Sequence, residues 1–138
     1  MKYSIIVLLI ILSSCSTPDK CPELNYNSIN KLTTLPDGST YTGRCSVYRD
    51  GSKVSIQQYL NGVDYGKWIF YFPNGKIETK GKFRDGKRVG KWRYYYESGK
   101  IKQISNYSKL GEREGKWVEY DEDGKILRTT IYLSLIHI

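Results

Sequence analysis

Lysine and tyrosine recur at a fixed offset in this chain: Lys67 with Tyr71, Lys91 with Tyr95, and Lys116 with Tyr120. An offset of four is even, so on a β-strand both side chains of each pair fall on one face. Rows of cations beside rows of phenols can hold acidic groups by charge while the rings add apolar contact. The alternative is that each Tyr packs and the Lys stem merely covers it. Catalytic chemistry has little to work with. His137 is the only histidine and lies in a tail that is expected to be foreign to the protein. Without it there is no imidazole base for a Ser or Cys nucleophile. Asp50, Asp85 and Asp123 stand at turn positions, where Asp is favoured for backbone reasons, and Glu97, Asp121 and Glu122 read as solvated surface beside turns. The chain is therefore expected to be no enzyme, with no cofactor and no metal.

The elements that carry these residues are set by eight Gly-containing turns. Asp37-Gly38, Asp50-Gly51, Asn61-Gly62, Asn74-Gly75, Asp85-Gly86, Ser98-Gly99, Leu110-Gly111 and Asp123-Gly124 lie 13, 11, 13, 11, 13, 12 and 13 residues apart. Every second glycine gives a repeat of 24 or 25 residues, the signature of stacked small units. Asn-Gly and Asp-Gly supply the positive φ angles of two-residue hairpin turns, and their flanks are rich in Tyr, Ile, Thr, Phe and Val. The expected fold is all-β: an elongated, single-layer antiparallel β-meander of repeated hairpins, preceded by a cleaved signal peptide.

Within the repeat, Gly66-Lys67-Trp68, Gly90-Lys91-Trp92 and Gly115-Lys116-Trp117 each lead to a Tyr three residues after the Trp and a Gly seven after it. A degenerate copy runs from Gly43 through Cys45, in the Trp place, to Asp50-Gly51. Alternation sets Trp68, Phe70 and Phe72 against Lys67, Ile69 and Tyr71, and on the next strand Ile77, Thr79, Gly81 and Phe83 against Glu78, Lys80 and Lys82. The Trp set is expected to form the core, since a small sheet without helices needs large side chains. A ligand-facing aromatic platform is the competing role, better suited to the Tyr set.

Gly-Lys-Trp-(x)2-Tyr-(x)3-Gly-Lys, followed by an aromatic-(x)2-Gly-(x)3-Gly connector, resembles the bacterial variant of the MORN repeat over about residues 38–132. The resemblance implies an elongated antiparallel sheet used for contacts with proteins or membranes. Some bacterial relatives carry an antitoxin-like label, which implies protein binding.

The N-terminus gives an address. Lys2, the apolar run Ile5 to Leu12 and Leu12-Ser13-Ser14-Cys15 match a lipoprotein signal, with residues 1–14 removed and Cys15 lipidated. Eight apolar residues cannot span a bilayer. Cys21 and Cys45 then remain as an even pair in an oxidising setting; they are expected to form a disulfide, the alternative being two free thiols. Residues 15–37 read as a lipid-anchored tether with one strand around Ile29 to Leu35 pairing across Asp37-Gly38, and residues 38–132 as the repeat domain. Residues 133–138, Leu-Ser-Leu-Ile-His-Ile, match one translation frame of a transposase-type sequencing adapter; a genuine last strand is the alternative. The net charge of +8 suits exposed sheet protected by Lys, or a cationic stripe for an acidic partner. The expected role is a non-enzymatic lipoprotein of the cell envelope, at the outer membrane of a Gram-negative bacterium. Its sheet would bind an unidentified protein; the alternative is anionic lipid head groups or acidic glycans. Nucleic acid is not expected.

Overall fold

The structure, a computed structural model, describes residues 18–134. Cys15, the signal segment 1–14 and His137 lie outside the described residues. Strands run over β1 (Asn25–Asn27), β2 (Leu32–Thr34), β3 (Gly43–Arg49), β4 (Ser52–Leu60), β5 (Val63–Asp64) and β6 (Gly66–Tyr71). They continue with β7 (Ile77–Arg84), β8 (Lys87–Tyr95), β9 (Ile101–Tyr107), β10 (Gly115–Tyr120) and β11 (Ile126–Tyr132). No helix occurs among the described residues. One nine-stranded antiparallel sheet orders its strands β11-β10-β9-β8-β7-β6-β4-β3, with β5 also on β4, so apart from β5 the strands follow one another in space as in sequence. This is the expected meander.

The turns come in two kinds, which corrects the expectation of two-residue turns at every Asn-Gly and Asp-Gly. At Asp50-Gly51, Asn61-Gly62 and Asp85-Gly86 both residues have positive φ, the two-residue turn that suits the twist of a hairpin. At the other five only the Gly is positive. There the chain closes over one more residue: Gly75 N–H donates to the Phe72 carbonyl at 2.9 Å, and Phe72 N–H to that of Lys76 at 2.8 Å. Ser108 and Glu112 repeat the latter bond, which explains how Leu110, a poor candidate for positive φ, can precede Gly111.

The glycine of each Gly-Lys-Trp has a different task. Gly66, Gly90 and Gly115 all sit at φ between 64° and 66°. Here the chain bulges: β4 pairs Tyr59 with Asp64 but Ile56 with Ile69, leaving extra residues on the Gly side. The bulge throws the next residues' side chains back over the preceding strand. Trp68 Nε1–H thereby reaches the Gln58 carbonyl at 2.9 Å, Trp92 that of Lys82 at 3.2 Å, and Trp117 that of Asn106 at 2.8 Å.

These indoles line one face with the connector aromatics between them. Tyr59, Trp68, Phe83 and Trp92 follow one another edge to face at 5.4, 5.0 and 5.0 Å, and Tyr107, Trp117 and Tyr132 continue at 5.2 and 5.0 Å. Arg88 lies over Trp92 at 4.6 Å and Arg113 over Trp117 at 5.2 Å, so guanidinium groups roof this face. Trp92 is fully buried and Trp68 nearly so, while Trp117 near the end is half-buried. Gly81 makes room: a Cβ there would fall 2.2 Å from the Trp92 ring.

Residues expected to form a tether are folded from residue 18 onward. Cys21 N–H donates to the Ser46 carbonyl at 2.8 Å, Ser46 N–H to that of Asp19 at 2.7 Å, and Ser46 Oγ to that of Pro18 at 2.8 Å. This stretch covers the outer edge of β3. A Cys21–Cys45 disulfide locks it there, with Cys45 buried in the place Trp holds in later repeats. The strand expected around Ile29 to Leu35 is β2, but its main partner is β1; across Asp37-Gly38 it makes a single bridge, Thr34 to Thr40. Thr33 N–H donates to the Gly62 carbonyl at 2.8 Å, docking the small β1–β2 hairpin on the turn between β4 and β5. At the far end β11 stops at Tyr132, and Leu133 is exposed.

Candidate functional site

On the face opposite the indoles, register gathers positive charge. Lys67 on β6 stands directly across from Lys82 on β7, and Lys80 on β7 across from both Ile69 on β6 and Arg93 on β8. Lys91, two residues before Arg93, shares its side by alternation. The result is a groove of about 250 Å³ whose lining includes Lys67, Ile69, Lys80, Lys82, Lys91 and Arg93 and reaches Trp68 and Gly81 between them. Among the described residues the only ion pair is Arg128 with Glu119, away on β10 and β11. Among the described residues no carboxylate forms an ion pair with a cation of the groove. Like charges placed directly across strands cost up to about 1 kcal/mol per pair, and two such pairs meet here.

The six expected binding residues are only partly united. Lys67 and Lys91 enter the groove. Tyr71 and Tyr95 are half-buried and stand outside its lining; Tyr71 faces a separate hollow with Lys53 and Glu78. Lys80 Nζ sits 5.6 Å above the Tyr95 ring, so this phenol anchors a cation of the groove. Lys116 and Tyr120 belong to the third repeat and do not line the groove. Sequence reasoning missed Lys80, Lys82 and Arg93 as site residues. The signal was present on β7, where Lys80 and Lys82 alternate on the polar side, but the pairing Lys67 with Lys82 needs the register to be known.

The lysines that follow each turn do something else. Lys76 Nζ donates to the Ser98 carbonyl at 2.9 Å and Lys100 Nζ to that of Glu122 at 2.7 Å, while Asn74 Nδ2 donates to the Glu97 carbonyl at 3.1 Å. Each turn thus caps the equivalent turn one repeat onward. These are structural cations, unlike those of the groove. Elsewhere, burial pushes the Tyr94 phenol up to about 12, and Arg88 donates to its oxygen at 3.0 Å. Among the described residues no cluster of His, Cys, Asp or Glu could hold a metal ion, and no helix is long and apolar enough to cross a membrane.

No curated protein sequence matches the chain. Among solved structures, the crystal structure of accessory secretory protein 1, 2 and 3 in Streptococcus pneumoniae is similar at 17% identity and TM-score 0.41, over 75% of this chain and 21% of that one. The crystal structure of a GtfA/B complex bound to UDP and GlcNAc is similar at 12% identity and TM-score 0.38, over 84% of this chain and 28% of that one. The chain thus spans between a fifth and a third of the length of either. The MORN repeat variant family matches at residues 64–85, 88–109 and 113–133, which are the three Gly-Lys-Trp units with their connectors. Between Asp64 and Leu133 the chain thus carries three consecutive matches to the MORN repeat variant.

Proposed function

We propose that this chain is a non-enzymatic interaction module, lipid-anchored through Cys15 at the cell envelope of a Gram-negative bacterium, whose repeat sheet binds a partner protein through an acidic segment. MORN repeats generally serve as interaction modules, which supports the coarse reading. The groove of Lys67, Lys80, Lys82, Lys91 and Arg93 supports the finer one, because its five cations have no carboxylate partner among the described residues. Its shape favours a peptide over a flat membrane. It crosses β6, β7 and β8, a width of about 10 Å between outer strands, and its concave floor admits an extended chain carrying Asp or Glu. The Lys and Arg stems and Ile69 supply apolar contact beneath the charges.

A fluorescent deca-glutamate peptide and vesicles containing anionic phospholipid test this with the mature domain. The peptide should bind and be released steeply as salt rises, and a Lys67→Ala, Lys82→Ala double variant should lose most of that binding. Vesicle binding without peptide binding would instead favour the lipid reading; binding of neither would overturn both. For the anchor, Cys15→Ser should abolish processing and membrane retention in cells. Normal processing of that variant with membrane attachment would refute lipidation at this residue.

A further inference from the structure

A second hollow, of opposite character, lies where the β1–β2 hairpin meets the start of the repeat sheet. It encloses about 480 Å³ and includes Leu24, Tyr26, Gln57, Tyr59, Asp64 and Trp68 in its lining. Tyr59 and Trp68 are buried and meet edge to face at 5.4 Å, forming an aromatic floor. Tyr26 is exposed at the side contributed by the hairpin. Asp64 pairs across the sheet with Tyr59, so its carboxylate shares the aromatic face. Among the described residues no Lys or Arg forms an ion pair with it, although the chain carries a net charge of +8.

The polar groups around it are already committed to each other. Tyr59 Oη donates to Gln57 Oε1 at 2.5 Å, and Gln57 Nε2 donates to Ser55 Oγ at 3.1 Å. That leaves the Asp64 carboxylate as the free acceptor of the hollow. Burial lifts its carboxyl above the ordinary Asp value of 3.8, and no cation offsets that penalty. Burial, with the same negative charge, pushes the Tyr59 phenol up to about 12. A carboxylate kept half-desolvated at a cost to the fold, beside aromatic rings, has the chemistry that recognises organic cations. The walls are also fixed in advance: the Cys21–Cys45 disulfide holds one, and the Thr33 bond to the Gly62 carbonyl holds the hairpin.

We propose that the hollow formed by Leu24, Tyr26, Tyr59, Asp64 and Trp68 binds a free, small organic ammonium compound, with Asp64 as counter-ion and the aromatic rings around its apolar body. This site is distinct from the cationic groove, whose Lys and Arg side chains lie on the opposite face of the sheet, and either can fail without the other.

Choline is the probe, set against its neutral carbon isostere 3,3-dimethyl-1-butanol, with calorimetry or ring-proton shifts on the disulfide-bonded domain. Choline should bind with a dissociation constant on the order of 1 mM, and the isostere at least about tenfold more weakly. Asp64→Asn should weaken choline by about tenfold or more while melting no lower than the parent at neutral pH. Tyr26→Ala, at an exposed position, should weaken choline without loss of fold. No choline binding at about 50 mM, equal binding of the isostere, or full binding by folded Asp64→Asn would each overturn the proposal.

Discussion

The two faces of the sheet are made from the same repeats and yet do opposite things with them. On one face every Trp packs edge to face on a neighbouring ring and gives its N–H to the carbonyl of the preceding strand, and Trp68 and Trp92 are screened from water. On the other, Lys67, Lys82 and Lys91 stand exposed with no ion pair among the described residues. Packing tolerates little variation from copy to copy, so the indole face is periodic. The cation face is periodic in Lys67, Lys91 and Lys116, but its groove is local, because it also needs Lys80, Lys82 and Arg93, which register brings together once. Conserving an internal beat therefore identifies what holds the sheet, whereas departure from the beat marks where a ligand could be read.

The comparison breaks most visibly at Trp92. Trp92→Ala should cost about 3–5 kcal/mol, seen as a large fall in denaturation midpoint, and a smaller loss would mean the indole face is less tightly packed than its burial indicates. Reducing the Cys21–Cys45 disulfide comes next, at about 3 kcal/mol for a loop of this length. The choline hollow should weaken along with it, while the groove on the other face should keep its peptide. Gly81→Ala tests the packing of the indole face. Its Cβ meets the buried Trp92 ring, so overpacking should cost about 1–3 kcal/mol; unchanged stability would show that the ring can step aside.

Smaller still is the effect of charge. Lys67→Ala with Lys82→Ala should alter stability by less than about 0.5 kcal/mol while removing most peptide binding, the reverse of Trp92→Ala. A matching contrast holds for Asp64. Its carboxyl is raised in the fold, so its contribution is best below the ordinary value of 3.8 and is lost as pH rises through the folded value. Asp64→Asn should thus melt higher than the parent at neutral pH, with the gap closing in acid. A gap that persists or reverses at low pH would assign Asp64 a different environment.

Much of the fold was legible because its determinants are local. Asp-Gly and Asn-Gly spacing gave the hairpins, and the fixed step from Trp to the turn gave the phase in which Trp68 and Trp92 face inward. Cys45 in a Trp position, with Cys21 as its one possible partner if Cys15 carries a lipid, was enough to expect the disulfide. The bulges at Gly66, Gly90 and Gly115 were not read, since a glycine before Lys-Trp looks like another turn signal until strand pairing shows the slipped register. The groove was half visible: Lys67 and Lys91 came from the repeat, but Lys80, Lys82 and Arg93 depend on which residues face each other across strands. The Asp64 hollow was invisible, because it exists only once residues 18–37 fold back over β4 and β5, and those residues carry no periodicity to place them.

The covered edge of β3 has a consequence for how the sheet comes apart. That edge is tied by hydrogen bonds and a covalent link, and Trp92 in the middle is sealed, whereas Trp117 is half-buried and β11 has no strand on its outer side among the described residues. Opening should therefore have a direction. Amide hydrogens of β11 and β10 should exchange first and those of β3 and β4 last, with the strands peeling away in reverse order of the chain like a zipper fastened at one end.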